Sequence, residues 1–295
     1  MMAWTSSSES TRSTTSAPLP RGAGAIMSLV KADGIVRVPP EIQGIDEGAS
    51  VQVELLRSLN QIRRTIMAIG SHDLALDILA TFLARAYPGM SLSSAHVGSM
   101  GGITAVKRGE AHLGGVHLLD EASGTYNIPY LRKYFPQGGV FLVECVQRTQ
   151  GLMVPKGNPL GIREFADIAG KRYVNRQKGS GTRILCDYLA RQNKVDPESV
   201  WGYDREEYTH TAVAAAIAAG TADAGLGILS AARIYDLDFV PICEEQYDLL
   251  VAENAFALDM VQRLMEVLRG KEFARRLSMM GGYSLHHPGE IRPWN

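Results

Sequence analysis

ILATFLAR (residues 78–85) and ILCDYLAR (residues 184–191) are two versions of one segment, and a second pair, AVKRGEA (105–111) and AIAAGTA (216–222), follows in the same order. The two pairs are offset by 106 and 111 residues. Two matches in one order at nearly one spacing read as a duplicated unit of about 100 residues. Within the first copy Leu74, Ile78, Leu79, Phe82 and Leu83 recur at helical spacing, and Pro88-Gly89 stops the helix. Upstream, apolar residues 66–69 lead into Gly70-Ser71-His72-Asp73, so the order is strand, tight turn, helix. Strands alternating with helices predict a mostly parallel sheet covered by helices.

Between the copies, residues 140–154 form a β-prone run with Phe141, Leu142, Val143 and Val146. A strand of that length crosses from one lobe to the other, and residues 239–251 cross back. The amphipathic helix at 257–268 then returns the chain to the first lobe. Two crossovers make a hinge, and a hinge makes a cleft. The expected fold is therefore α/β: a two-lobed ligand-binding domain over residues 64–284 with duplicated α/β lobes and a two-strand hinge. Lobe 1 spans about 64–145 and 245–284, and lobe 2 about 146–244.

Residues 1–21 are rich in Ser and Thr, lack the apolar surface that offsets ordering entropy, and are expected to be disordered. Residues 22–58 read as a partial β-barrel segment. A strand at 35–38 ends on Pro39-Pro40, and Val51, Val53 and Leu55 alternate with polar residues.

A formal net charge of -1 argues against a nucleic-acid-binding surface spread over the whole chain. No apolar run approaches the roughly 20 residues of a membrane span. The N-terminus has no apolar core of the kind a secretory signal carries, so a cytoplasmic location is expected. Cys145, Cys186 and Cys243 lie far apart without a CxxC or Cys/His cluster, which indicates neither a disulfide framework nor a structural zinc site. Cys145 and Cys186 sit in apolar runs as small hydrophobes.

Ligands of open α/β units bind beyond the carboxyl ends of the strands. Four turns lie there: Gly70-Ser71-His72-Asp73, Gly98-Ser99-Met100-Gly101-Gly102, Gly179-Ser180-Gly181-Thr182-Arg183 and Tyr208-Thr209-His210-Thr211. Each places a small hydroxyl residue at a helix start, where free N–H groups and the macrodipole receive anions. The same Ser and Thr also read as ordinary N-caps, and Asp73 as a cap or as an acceptor for a protonated ligand. Arg176 and Arg183 flank the third turn and suit an oxyanion or carboxylate; a surface salt bridge is the alternative for each. His117 follows Gly114-Gly115 at the end of an apolar run and, with His72 and His210, is either a lining or a structural histidine. The candidate ligand-binding set is Ser71, His72, Gly98, Ser99, Met100, His117, Arg176, Ser180, Gly181, Thr182, Arg183, Tyr208, Thr209 and His210. No catalytic, metal or cofactor site is expected. There is no GxSxG elbow, GSGT lacks the GK[ST] ending of a phosphate loop, and His286-His287 reads as solvated.

The stretches GSHDLALDIL, SSAHVGSMGG, GEAHLGG, QGLMVPKGNP, VNRQKGSGTR and EEYTHTAVAAAIAAGTADAGLGI are spread over residues 67–283, about three quarters of the chain. They resemble the type II periplasmic-binding-protein-like domain often fused to molybdate-related proteins. More distantly, they are similar to tungstate- and molybdate-binding proteins of ABC importers, in which an Arg followed by an SGT turn serves the oxyanion. Arg176 and Ser180-Gly181-Thr182 occupy that pattern. RGAGAIMSLVKADGIVRVPPEIQGIDEGASVQVELL (21–56) resembles the C-terminal barrel domain of molybdopterin molybdenumtransferase.

These resemblances imply binding or sensing of a small oxyanion, molybdate or tungstate, linked to molybdenum-cofactor synthesis. The implied partners are that anion and a molybdenumtransferase or another cofactor-synthesis protein, not nucleic acid or membrane. The transferase's nucleotide- and metal-handling domains have no counterpart here, so no molybdenum insertion is expected from this polypeptide alone. One alternative is a non-catalytic subunit of a split molybdenumtransferase that binds a pterin intermediate. A further alternative, the effector domain of a transcription regulator, finds no helix-turn-helix pattern in the first 60 residues.

Overall fold

The computed structural model describes residues 2–6 and 14–18 as backbone and residues 32–46 and 48–294 in full. Within the stretch whose composition predicts disorder, β1 (Met2–Ser6) and β2 (Thr14–Pro18) pair antiparallel. Backbone hydrogen bonding of this kind is open to any side chains, so composition alone does not exclude it. The rest of residues 1–21 lies outside the described residues. β3 (Gly34–Ile35) and β4 (Glu54–Leu55) complete a four-stranded sheet in the order β2-β1-β3-β4. Both are shorter than the alternation predicts, since only Gly34 and Ile35 find register partners in Leu55 and Glu54.

α1 (Leu59–Arg63), closed by a Ser58/Gln61 capping box, leads into the main body. β5 (Thr65–Gly70) is buried along nearly its whole length, and α2 (Leu74–Ala86) starts at Asp73, whose Oδ1 accepts from Ala75 N at 2.7 Å. β6 (Ser91–His96) runs parallel to β5; α3 (Gly98–Lys107) and β7 (Leu113–Val116) follow, and β7 also runs parallel to β5. After α4 (Ile128–Tyr134) comes β8 (Val140–Val154), the first crossing strand.

The second lobe repeats the first, element for element. β9 (Asn175–Arg176), α5 (Gly181–Gln192), β10 (Glu206–Glu207), α6 (His210–Ala218) and β11 (Gly225–Ile228) follow in that order, with β9 and β10 parallel. After α7 (Leu229–Ile234), β12 (Asp238–Ala252) crosses back antiparallel to β8. α8 (Glu253–Phe256), α9 (Asp259–Leu268) and α10 (Lys271–Met280) return to the first lobe. There Val261, Leu264 and Phe273 bury against Leu76, Leu79 and Leu83 of α2. β13 (Tyr283–Ser284) and β14 (Ile291–Arg292) then add to β8.

The large sheet has the order β11-β8-β12-β7-β5-β6, so the two long central strands belong to both lobes. One end of β8 and β12 packs with the lobe 1 core around Leu79, Val143 and Val251; the other packs with Phe165, Tyr173 and Leu226 through Leu152 and Val154. The hinge is thus a pair of continuous strands, not a loop. Among the described residues, no helix is long and apolar enough to cross a membrane.

Candidate functional site

The carboxyl ends of β5, β7, β9 and the loop before α6 meet where the hinge strands pass between the lobes. Glu245 on β12 stands directly opposite Arg148 on β8 in the antiparallel register. Arg148 Nε donates to Glu245 Oε1, and its Nη1 donates to Asp73 Oδ2 at the start of α2. All three side chains are fully buried. Its guanidinium also lies over the Tyr247 ring, 4.8 Å from the centroid, and the Tyr247 hydroxyl donates to Ser71 O at 2.7 Å. Burial works against the Arg148 charge, but Glu245 and Asp73 outweigh it and raise its pKa. Burial likewise disfavours the Glu245 carboxylate, yet Arg148 and His117 hold it down at about 2.

From this ion cluster the network reaches both lobes. Glu245 Oε2 accepts from His117 Nδ1 at 2.9 Å and from Gln150 Nε2 at 2.8 Å. His117 Nε2 lies 2.7 Å from Ser71 Oγ. Gln150 Nε2 also donates to Thr182 Oγ1 at 3.0 Å, which links the hinge to the third turn. Ser99 Oγ accepts from His117 N at 3.2 Å, and Ser180 Oγ caps α5 by accepting from Arg183 N at 3.1 Å.

Arg176 is different in kind. Its side chain is 0% exposed, and among the described residues no carboxylate comes within 4 Å of it. Nε donates to Glu207 O and to Gln177 Oε1, both at 3.2 Å; Nη2 donates to Tyr208 O at 3.0 Å; Nη1 has no partner. Burial, aided by repulsion from Arg148, presses its pKa down to about 9, which leaves it a cation at neutral pH. A guanidinium buried without a counter-ion is costly.

The lobes touch across this cluster. Met100 N donates to Gly179 O at 3.2 Å, joining the second turn to the third. Gly98 has φ +79°, and a Cβ there would come within 3.0 Å of Gly179 O. Gly181 is tighter still: a Cβ on it would lie 2.0 Å from His117 O. Glycine at these two positions permits this close approach of the lobes.

Of the residues singled out from the sequence, Ser71, Ser99, His117, Arg176, Ser180, Gly181 and Thr182 gather in this buried cluster, and Gly98 and Met100 form its seam. His210, at the start of α6, is buried with neither ring nitrogen partnered, and burial together with Arg176 and Arg148 lowers its pKa well below the usual range. Thr209 caps α6, accepting from Ala212 N at 3.0 Å. Three residues face elsewhere. Arg183 turns to Asp187 at 2.9 Å and lies over the Tyr203 ring. His72 pairs through Nε2 with Asp77 at 2.9 Å, and its ring lies 4.3 Å from that of His96 at a 45° tilt. The Tyr208 side chain is 61% exposed, and only its carbonyl serves Arg176.

Sequence reasoning missed Arg148, Gln150, Gln177 and Glu245, and it gave Asp73 no ion-pair role. The available signal was polar residues at positions 148, 150 and 245 inside two runs otherwise suited to burial. Among the described residues, no group of three or more His, Cys, Asp or Glu is placed to hold a metal ion.

The chain belongs to the PBP superfamily, whose domain matches residues 80–269. Residues 9–56 match the MoeA C-terminal region (domain IV). One relative is the uncharacterized protein YvgK of Bacillus subtilis (strain 168). It is 33% identical over 230 residues, covering 77% of this chain and 74% of that one. A structure assigned to a phosphate ABC transporter substrate-binding protein of Clostridium perfringens, with bound phosphate, superposes at TM-score 0.56. It is 12% identical over 73% of this chain and 97% of its own. The CcmR regulatory domain of Synechocystis PCC6803, in complex with 2-PG, gives 0.52 at 15% identity, covering 69% and 94%. Both share the fold.

Proposed function

We propose that the interlobe cleft binds a small oxyanion with Arg176 as its charged anchor. The observation that carries this reading is the buried Arg176 guanidinium with no carboxylate partner and a free Nη1. The start of α5 supports it. Ser180 and Thr182 are wholly buried, and each hydroxyl already accepts one hydrogen bond, so each has its own proton to give. A fixed guanidinium beside a helix N-terminus favours an anion over a neutral ligand.

Within the oxyanions, the molybdenumtransferase-like segment at residues 9–56 favours molybdate or tungstate, bound for sensing or delivery in molybdenum-cofactor synthesis. A cytoplasmic site of action and a cofactor-synthesis enzyme as partner go with that reading. Isothermal titration of the full chain with molybdate, tungstate, phosphate and sulfate tests it. Saturable binding of molybdate or tungstate ahead of the other two is the expected result. No heat from any of the four at micromolar protein overturns the oxyanion reading.

The same segment favours a second reading, a non-catalytic subunit of a split molybdenumtransferase. It expects co-purification with a protein that carries the transferase's nucleotide- and metal-handling domains. A chain that stays alone in pull-downs from its host would remove it.

A further inference from the structure

The hydrogen bonds around Glu245 have a fixed direction. An ionised carboxylate has no proton to give, so His117 carries its proton on Nδ1, toward Glu245 Oε2. Burial, reinforced by Arg148 and Arg176, lowers the pKa of His117 against the pull of Glu245 and keeps the ring neutral. Nε2 is then an acceptor, and Ser71 Oγ, 2.7 Å away, donates to it. What remains on Ser71 Oγ is lone pairs. The same carboxylate orients Gln150: Nε2 faces Glu245 and Thr182, and the buried Oε1 is left without a partner.

The cluster therefore contains acceptors among its donors. Arg176 Nη1, Arg148 Nη2 and Gln177 Nε2 are buried donors without partners, while Gln150 Oε1 is an acceptor in the same condition. A bare dianionic oxyanion satisfies the first three and faces the fourth with like polarity. Charge points the same way. Asp73 and Glu245 both pair with Arg148 and neither touches Arg176, yet the four buried charges sum to zero, so each further negative charge enters a cluster without a net positive excess.

The other titratable groups around it do not supply the difference. His117 on the loop after β7 and His210 on α6 are held neutral. His72 on the first turn is engaged by Asp77. Tyr247 on β12 and Tyr283 on β13 have raised pKa values, chiefly through burial.

We propose that the anion at Arg176 enters as a hydroxyl-bearing monoanion whose O–H is accepted by Gln150 Oε1 or Ser71 Oγ. This rests on the oxyanion reading and narrows it to a protonation state. Phosphate enters as dihydrogen phosphate, and molybdate or tungstate as the hydrogen oxyanion. Sulfate, which keeps no proton in this pH range, is disfavoured.

The test is isothermal titration of the full chain with phosphate, molybdate and sulfate at about pH 6 and about pH 8. Phosphate should bind roughly tenfold tighter at the lower pH, following its monoanion fraction. Molybdate should gain on acidification as well. Sulfate should stay weak at both pH values, and Ser71→Ala should narrow the gap between phosphate and sulfate. Sulfate binding as tightly as phosphate, or gaining by the same factor on acidification, overturns the proposal and leaves the oxyanion reading standing. Silence from all three anions overturns that reading itself.

Discussion

Glu245 and Arg148 occupy directly opposed positions on the two hinge strands, and both are wholly buried where the lobes meet. Arg148 also binds Asp73 of the first turn, and Glu245 also binds His117 and, through Gln150, reaches Thr182 of the third. One ion pair at the hinge thus touches the turns of both lobes. This makes hinge geometry and ligand-turn geometry a single network.

Replacing Arg148 with Met should leave Asp73 and Glu245 as uncompensated buried carboxylates. The expected cost is about 3–5 kcal/mol, read as a lower urea midpoint. The Arg148→Met, Glu245→Gln double variant should recover part of it. A single variant as stable as wild type would show that the cluster is solvated rather than buried.

Arg176 should behave in the opposite sense. It has no carboxylate partner, and on the oxyanion reading the charge is kept for a ligand, so Arg176→Met should stabilise the protein in anion-free buffer by about 1–3 kcal/mol. The same variant should lose anion binding. Thr182→Ala should weaken binding by about 1–3 kcal/mol. Chemical denaturation and calorimetry on the same samples separate the two effects. Arg176→Met that is less stable in anion-free buffer would mean the guanidinium is a structural brace through Glu207 O and Tyr208 O.

Much of this was legible beforehand, and the division has a physical cause. The duplicated helices and the crossing strands are local patterns of spacing and length, and residues 140–154 match β8 end to end. The four turns were visible because Gly, Ser and Thr announce helix starts within a few residues. The Arg148–Glu245 pair joins residues 97 apart and exists only once the strand register is known. Arg183 is a case where the sequence held the answer. Asp187 lies four residues on along α5, the spacing at which helical side chains pair, and it takes the guanidinium away from the cleft. The short strands of the N-terminal segment were overextended because alternation marks a half-buried surface but not whether a partner strand runs alongside it.

The pH dependence of stability should carry the mark of His112. Its Nδ1 accepts from Met67 N at 2.8 Å, and burial lowers its pKa from 6.5 to about 4. The unfolded chain then binds the proton more readily, so this stabilisation is complete above the unfolded pKa and is lost as pH falls toward the folded value. The loss amounts to roughly 3 kcal/mol at most. Asp248 opposes it. Burial, against Arg292, Asn127 and Gln246, raises its pKa to about 6, so the folded state takes up its proton first and gains as pH falls through that window. Urea midpoints between about pH 7 and about pH 4.5 should fall less steeply in His112→Asn and more steeply in Asp248→Asn. Parallel profiles for wild type and both variants would refute the assignment.

Closure of the lobes should depend on Gly181. It opens α5 in the second lobe, and a Cβ there would lie 2.0 Å from His117 O and 2.5 Å from His117 Nδ1, in the first lobe. Neither neighbour yields easily, because His117 is fixed through N to Ser99, through Nδ1 to Glu245 and through Nε2 to Ser71. Gly181→Ala must therefore separate the lobes or distort the network, at an overpacking cost of about 1–3 kcal/mol. Separation is the easier route, since each lobe has its own core and the β8–β12 pairing between them is interrupted by register shifts at Pro241/Cys243 and Tyr247/Asp248. The variant should keep a near-native thermal transition, scatter X-rays in solution with a larger radius of gyration, and bind anion roughly tenfold more weakly or worse. Unchanged scattering with a large drop in melting temperature would place the strain inside a lobe. The contact between Gly181 and His117 would then be part of the folded scaffold and not of a closing cleft.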